Sequence, residues 1–293
     1  MQRRFSYTAW AYLLIAPTMI GLVILNIIPF FHSMFLSFTQ SQGFGNYSWT
    51  GFSNFIRMMQ DIKVWKATFN TFAFTIITVP VGVFISLVLA VLLNSNLKGR
   101  LLFRIIYFMP LVVAPAAVAM IWRWMFNSDY GIINHFMGMF GISNIQWLTN
   151  PSLAIVSISI VAIWSLVGYN MILILAGLQN VPDFYYEAAS LDGAGPVRQF
   201  FSITIPLVSP TLFFVVTTGV MTAIKQFDFI YMMIDEMNPA IDEVQTLLYL
   251  FYHHAFVTNE KGYASAIVFL TFTIIMLLTW LQFKLQKRWV HYE

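Results

Sequence analysis

The chain has 293 residues, of which 59% are apolar and only 9% are charged, and its net charge at pH 7 is +3. An ordinary soluble domain has roughly a quarter of its residues charged, so this chain cannot cover itself with polar surface in water. The composition disfavours a soluble enzyme, a disordered protein and a nucleic-acid-binding protein. Because there is no cysteine, disulfides, thiolate metal sites and thiol nucleophiles are excluded. An integral membrane protein remains.

Six segments are long and apolar enough to cross a bilayer, which takes about 20 mostly apolar residues in a helix. They lie at about 12–38, 69–93, 101–126, 153–178, 207–234 and 264–283. Helices are expected because each span must satisfy its own backbone hydrogen bonds in lipid. We therefore predict an all-α multi-pass protein that forms one transmembrane domain over residues 1–293. Prolines within the spans predict kinks, namely Pro17, Pro29, Pro80, Pro110 and Pro115.

Basic residues indicate which loops face the cytoplasm. If the N-terminus is inside, nine of the fifteen Lys and Arg residues lie on the inner side, so both termini are predicted to be cytoplasmic. The first apolar segment is too long for a cleaved signal peptide and is expected to remain as an anchor. A further apolar segment, residues 243–257, is short and contains two histidines. We interpret it as an interfacial or re-entrant helix on the outer side, since a seventh span would move the C-terminus outside.

The connection between the fourth and fifth spans, residues 179–206, differs from the other loops. Asp183 is suited to cap a helix, and residues 184–191 predict a helix of about two turns. Gly193 predicts a turn, because glycine adopts positive φ without strain. Pro196 is suited to the first position of a second helix. The expected structure is a helix–turn–helix elbow parallel to the membrane, which we call the coupling loop.

The side chains of this loop suit a docking surface. Ala188 and Ala189 are small, so a partner can approach the helix closely, and Glu187 beside them offers a charge for orientation. Aromatic residues supply apolar area, namely Tyr185, Tyr186, Phe200 and Phe201. From composition alone, an ordinary amphipathic hairpin and a docking surface both remain open.

The spacing of residues in this loop resembles the EAA loop of ATP-binding cassette (ABC) importer permeases. The matching residues are Glu187, Ala188, Ala189, Asp192, Gly193, Ala194, Ile203 and Pro206. Ile205 departs from the family, which usually has leucine there. Residues 11–17, 178–182 and 262–266 are also similar to family segments, so the resemblance covers nearly the whole chain. The sugar-importer branch, of the maltose type, fits best.

The resemblance implies a type I importer permease fold (MetI-like) in a bacterial inner membrane, with the elbow as coupling helices. A cytosolic ATPase dimer would push the elbow, and a second homologous permease would complete the pathway within the membrane lipid. An extracytoplasmic binding protein would deliver a carbohydrate, and residues 52–66 and 235–260 are its expected contacts. The chain has no G-x-x-x-x-G-K-[ST] loop. ATP and Mg therefore belong to the partner ATPase, and neither a cofactor nor a metal is expected in this chain.

Polar residues within spans are the candidate solute contacts, because intramembrane charge is energetically expensive. Lys225 and Asp228 are three residues apart and are expected to share a helix face. They form either a self-neutralised pair or, with Gln226, a wall for solute hydroxyls; the resembled branch has a sugar-contacting patch near this point. Tyr169 and Asn170 are further candidates, with helix packing as the alternative. A weaker candidate group, expected to belong to the interfacial belt, is Trp122, Arg123 and Trp124.

Two other classes of protein compete with a permease. A membrane enzyme is disfavoured, because the five histidines form no H-E-x-x-H motif and no nucleophile–base pair is evident. A secondary transporter or channel of unrelated mechanism is the alternative, but Asp228 is the one intramembrane acid available for a proton relay. The sequence therefore predicts a non-catalytic permease subunit of an ATP-driven importer.

Overall fold

The computed structural model describes residues 2–41, 47–95, 98–142 and 144–291. Within these ranges the α-helices are α1 (Gln2–Leu22), α2 (Ile28–Leu36), α3 (Ser53–Gln60), α4 (Ile62–Asn94), α5 (Arg100–Val112), α6 (Pro115–Met125), α7 (Ile132–Gly138), α8 (Pro151–Gln179), α9 (Phe184–Leu191), α10 (Pro196–Gln199), α11 (Ile205–Ile224), α12 (Asp228–Met233), α13 (Ile241–Val244), α14 (Leu247–Tyr252) and α15 (Lys261–Gln286). Three π-helical turns lie at Val23–Ile27, Phe200–Thr204 and His253–Val257.

The fold is helical, as predicted, with one small sheet that the sequence reasoning missed. Strands β1 (Thr39–Ser41) and β2 (Tyr47–Trp49) pair antiparallel, with Thr39 opposite Trp49. Five helical stretches in the described residues are long and apolar enough to cross a membrane: Tyr7–Leu36, Ile62–Asn94, Pro151–Gln179, Pro196–Ile224 and Lys261–Gln286. A bent pair, α5 with α6, brings the number to six if it is counted as one span.

The third span is not the single helix that the sequence predicted over residues 101–126. It bends by 100° between α5 and α6. Pro115 disfavours helical geometry in the residue before it, and Ala114 is extended, at φ −57° and ψ 134°. Val113 is extended as well, at φ −81° and ψ 136°. Two consecutive extended residues turn the chain sharply, which is more than a kink.

The fifth span also breaks, so the prediction of one helix over residues 207–234 is wrong. Helix α11 ends at Ile224, and α12 begins at Asp228 after Phe227, which has φ −135° and ψ −49°. The carbonyl of Gln226 is freed at the break, and the Thr246 hydroxyl donates a hydrogen bond to it at 2.7 Å. Non-helical backbone at membrane depth requires such partners. Lys225 therefore does not share a helix face with Asp228, and they form no ion pair among the described residues.

The apolar segment predicted at 243–257 forms no span of its own. Its helical part, Leu247–Val257, is too short to cross a bilayer. The preceding residues pack on α4, where the Asn70 amide donates to the carbonyls of Asp242 and Gln245 at 3.0 and 3.2 Å. The hydroxyl of Thr71 accepts the first N–H of α14 at 3.1 Å. Buried polar side chains of α4 thus satisfy backbone groups at the start of this short helix.

The described residues cluster into two compact units, Met1–Asp61 with Phe251–Leu270 and Ile62–Leu250 with Thr271–Glu293. In the second unit, α4 and α8 pack along each other, and α5 and α11 pack on α8. The α5–α8 crossing is close, because a Cβ on Gly168 would lie 1.7 Å from the carbonyl oxygen of Tyr107. The Ser86 hydroxyl donates to the carbonyl of Val167 at 3.1 Å. These contacts hold the helices that carry the candidate site.

The first unit contains a charged cluster before the last span. Arg57 makes a bidentate ion pair with Glu260, with N–O distances of 2.8 and 3.1 Å. The guanidinium of Arg57 also lies 4.0 Å from the ring centre of Tyr263. This pairing holds the pKa of Glu260 below its usual range. His254 contacts the same carboxylate at 2.9 Å, and burial lowers the pKa of His254. The cluster ties α3 to the turn that begins α15.

Candidate functional site

The coupling loop forms the elbow that the sequence predicted, with its turn closed by a Schellman motif. Helix α9 spans Phe184–Leu191, and Gly193 follows it with φ +74°. The Gly193 N–H donates to Ser190 O at 3.1 Å, and the Ala194 N–H donates to Ala189 O at 2.9 Å. The predicted cap by Asp183 is wrong, since its side chain makes no capping hydrogen bond.

Two side-chain contacts brace the arms of the elbow against each other. The amide of Gln199, on α10, donates to the hydroxyl of Ser190 at 2.9 Å and to the carbonyl of Ala194 at 3.0 Å. The hydroxyls of Tyr186 and Thr204 lie 3.0 Å apart. The sequence reasoning missed Gln199 and Thr204, because their role depends on the angle between the arms. These hydrogen bonds hold the two arms of the elbow at a fixed angle.

The outer surface of the elbow is apolar and uncovered within the chain. Helix α9 buries no residue, and Leu191 is 91% exposed. Phe184, Val197 and Phe201 are exposed as well. Glu187 is exposed and forms no ion pair among the described residues. A surface of this kind, with apolar area beside exposed carboxylates, suits a protein partner.

The remaining predicted coupling residues lie around this surface. Ala188 and Ala189 are half-buried in α9, and Ala194 is half-buried after the turn. Asp192 is the exposed C-cap of α9. On the second arm, Ile203 and Pro206 are half-buried, within the π-helical turn and the first turn of α11 respectively.

A second candidate site is a small cavity between α4, α8 and α11, which is mostly apolar but has a few polar side chains in its lining. Its volume is about 30 Å³, and its polar lining comes from Thr78, Asn170, Thr222 and Gln226. Asn170 is 9% exposed, and its amide makes no hydrogen bond among the described residues. The Asn170 amide is not among the fully buried, unpaired side-chain atoms of the described residues, so it remains open to water or to a ligand in this space. We call this space the polar cavity.

Of the five predicted solute contacts, the structure brings Asn170 and Gln226 together in the polar cavity. Tyr169, Lys225 and Asp228 do not line it and are exposed instead. The sequence reasoning missed Thr78 and Thr222, although a threonine in an apolar span is the kind of signal that points to such a site. No group of three or more His, Asp or Glu side chains suited to a metal occurs in the described part of the chain.

The group predicted near the outer end of the third span separates in the structure. Arg123 forms an ion pair with Asp235, which follows α12. Trp122 packs edge-on against Trp164 with ring centres 5.6 Å apart, whereas Trp124 is exposed. Both charges of the ion pair are partly exposed, so the pair contributes little to stability.

Comparison with known proteins identifies the family. Residues 79–291 match the model of the binding-protein-dependent transport system inner membrane component. The chain is 36% identical over 287 residues to the probable ABC transporter permease protein YesP of Bacillus subtilis, covering 96% of this chain and 92% of that protein. It is 32% identical over 272 residues to the sulfoquinovosyl glycerol transport system permease protein SmoG of Agrobacterium fabrum, covering 92% and 87%.

The fold is similar to that of a solved transporter. A chain of the bacterial alginate ABC transporter, solved in complex with an alginate pentasaccharide-bound periplasmic protein, superposes with a TM-score of 0.87 at 18% identity. The match covers 98% of this chain and 97% of that chain. Together with the family match, this likeness confirms the fold class predicted from the sequence. The chain belongs to the binding-protein-dependent transport system inner membrane components and is a permease subunit of an ABC importer.

Proposed function

We propose that this permease imports a carbohydrate or a related polyhydroxylated solute across a bacterial inner membrane. The elbow supports a cytosolic partner that drives this import, because its turn exposes Leu191, Glu187 and neighbouring apolar side chains. The relative SmoG is named for a sugar-bearing solute. The family assignment argues against the alternative of a secondary transporter or channel of unrelated mechanism.

The proposed assembly has three partners. A cytosolic ATPase dimer binds the elbow and supplies all ATP and Mg chemistry, so this chain performs no catalysis. A second homologous permease completes the pathway; the most apolar part of Tyr7–Leu36 has no residue buried within the chain, which favours such a neighbour. A solute-binding protein docks on the outer connections, and both termini lie in the cytoplasm.

The proposed solute pathway passes the polar cavity. At about 30 Å³ the cavity holds one water molecule rather than a sugar, so this form of the chain is closed there. The amides of Asn170 and Gln226 and the hydroxyl of Thr222 are the groups that would bind solute hydroxyls as the helices separate. The break after Ile224 leaves the backbone beside the cavity without helical constraint, as in other transporters with discontinuous helices.

Crosslinking tests the proposed partner of the elbow. The chain has no native cysteine, so Leu191→Cys carries the one reactive thiol. A short photoactivatable thiol crosslinker in intact cells is expected to join Leu191→Cys to a nucleotide-binding subunit. Met237→Cys, which is 99% exposed on a different connection, is the control and is expected not to capture that subunit. Recovery of no nucleotide-hydrolysing neighbour at position 191 would contradict the proposal.

Substitution of Asn170 by leucine tests the solute pathway. Loss of one solute hydrogen bond, of about 1 kcal/mol, predicts a roughly fivefold fall in uptake at low solute concentration. Basal ATP hydrolysis of the purified complex is expected to stay unchanged. Ser165→Ala on the same helix is the matched control. The Ser165 hydroxyl donates a hydrogen bond to the carbonyl of Val161, and Ser165 does not line the cavity. Equal uptake by Asn170→Leu and Ser165→Ala would place the pathway elsewhere.

A further inference from the structure

The short helix α7 buries the polar residue Asn134 and exposes large apolar residues together with His135. Its polar residue Asn134 is only 5% exposed and makes four hydrogen bonds. The Asn134 amide donates to the carbonyls of Ser128 and Ile145 at 3.1 and 2.8 Å, and its oxygen accepts from the Trp147 indole at 2.9 Å. These bonds fix the rotation of α7 about its own axis.

The opposite side of α7 presents large apolar side chains outward. Phe136 is 56% exposed, and Met139 and Phe140, directly after the helix, are 69% and 68% exposed. Ile132 is exposed on the same side, since residues at helical spacings of three, four and seven share a face. The Asn134 bonds therefore hold an apolar stripe away from the protein core.

The stripe continues the exposed apolar surface of the third span. Met120, Ile121 and Trp124 on α6 are exposed, and α7 begins seven residues after α6 ends. An open groove of about 610 Å³ lies between them, and its lining combines Trp124, Tyr130 and Met139 with the polar residues Asp129, Asn134, His135 and Asn144. Aromatic residues at the end of a span are typical of the membrane interface.

The chemistry of this segment favours lipid over a protein partner. Between Asp129 and the start of α8 at Pro151 the sequence has no Asp, Glu, Lys or Arg. A protein interface has a polar rim around its apolar centre, whereas a stripe without charges fits the boundary between headgroups and acyl chains. Helix α8 has 29 residues and is therefore about 43 Å long. The stripe on α7 precedes one end of α8 and the coupling loop follows the other end, so the stripe and the coupling loop are far apart.

We propose that α7 is an in-plane membrane anchor whose stripe of Ile132, Phe136, Met139 and Phe140 inserts into the phospholipid leaflet opposite the coupling loop. Buried about 5–10 Å below the headgroups, the stripe fixes the connection between the third and fourth spans at a constant depth.

A depth-dependent quenching experiment tests the anchor. The full chain, purified with the subunits that accompany it, carries an environment-sensitive fluorophore at Met139→Cys and is placed in phosphatidylcholine nanodiscs. Lipid nitroxides near the top of the acyl chain are expected to quench this label roughly twofold or more, and nitroxides at the chain end less. Met237→Cys, an exposed methionine beside acidic residues, is the matched control and is expected to stay unquenched by lipid and open to aqueous iodide.

A second variant tests the cause of insertion. Phe136→Asp with Phe140→Asp is expected to reduce quenching at position 139 to the level of position 237, while the Ile145 amide stays protected from hydrogen exchange. Equal quenching at 139 and 237 in the otherwise unmodified chain would overturn the proposal. Shielding of the 139 label from iodide without lipid quenching would also overturn it, because it would show a protein covering the stripe. Full lipid quenching of the 139 label in the double aspartate variant would likewise overturn the proposal.

Discussion

Replacement of Gly193 by alanine is expected to lower ATP-driven solute uptake roughly tenfold without removing the protein from the membrane. Gly193 has φ +74°, and a side chain in that left-handed conformation costs about 1–2 kcal/mol. A Cβ there would meet no atom within 4 Å, so the penalty is conformational rather than steric. Because a tenfold change in an equilibrium corresponds to about 1.4 kcal/mol, the ratio of formed to unformed Schellman turn in the variant is expected to fall about tenfold. Uptake by proteoliposomes that contain the assembled transporter measures the effect.

Two matched variants separate backbone strain from other effects of substitution. Gly195 has φ −71° and ψ 166°, a conformation open to any residue, and a Cβ there also meets nothing within 4 Å. Gly195→Ala is therefore expected to transport normally. Gly193→Asn is expected to retain more activity than Gly193→Ala, since asparagine tolerates positive φ. Normal uptake by Gly193→Ala, or an order in which asparagine is the worse replacement, would refute the role of the turn.

Substitution of Gly168 by alanine is expected to lower the free energy of unfolding by about 1–3 kcal/mol, the usual cost of overpacking, or by more. The new Cβ would lie 1.7 Å from the backbone carbonyl oxygen of Tyr107. A backbone atom cannot rotate away as a side chain can, so α5 and α8 must separate. The thermal denaturation midpoint of detergent-purified protein, followed by size-exclusion chromatography, reports the loss.

Gly82→Ala is the control for this experiment. Gly82 also lies within a long apolar helix, α4, but a Cβ there would meet nothing within 4 Å. Since alanine is favoured over glycine in a helix by about 1 kcal/mol, Gly82→Ala is expected to be neutral or stabilising. If Gly168→Ala and Gly82→Ala denature at the same temperature, the close crossing of α5 and α8 does not hold the fold.

The elbow was predictable because its structure depends on neighbouring residues. A glycine after a short helix and a proline at the start of the next one decide the turn locally, and Gly193 and Pro196 occupy those positions in the structure. The long spans at Ile62–Asn94 and Pro151–Gln179 were predictable for the same reason. Apolar length alone requires a helix wherever water is absent.

The solute contacts were less predictable, because they depend on a break in the fifth span. The expectation that Lys225 and Asp228 share a face assumed a continuous helix. Thr246, distant in the sequence, supplies the hydroxyl that stabilises the freed carbonyl of Gln226. The break turns Asp228 away from its expected neighbour, and only Asn170 and Gln226 of the predicted set line the polar cavity.

The amino-acid sequence by itself determined the membrane location of this chain, the approximate extent of its spans and the elbow with its glycine turn, because composition, apolar length and local turn chemistry act over short distances. Tertiary structure alone decided the break at Ile224 and the outward stripe on α7. Each of these depends on hydrogen bonds that another part of the chain supplies.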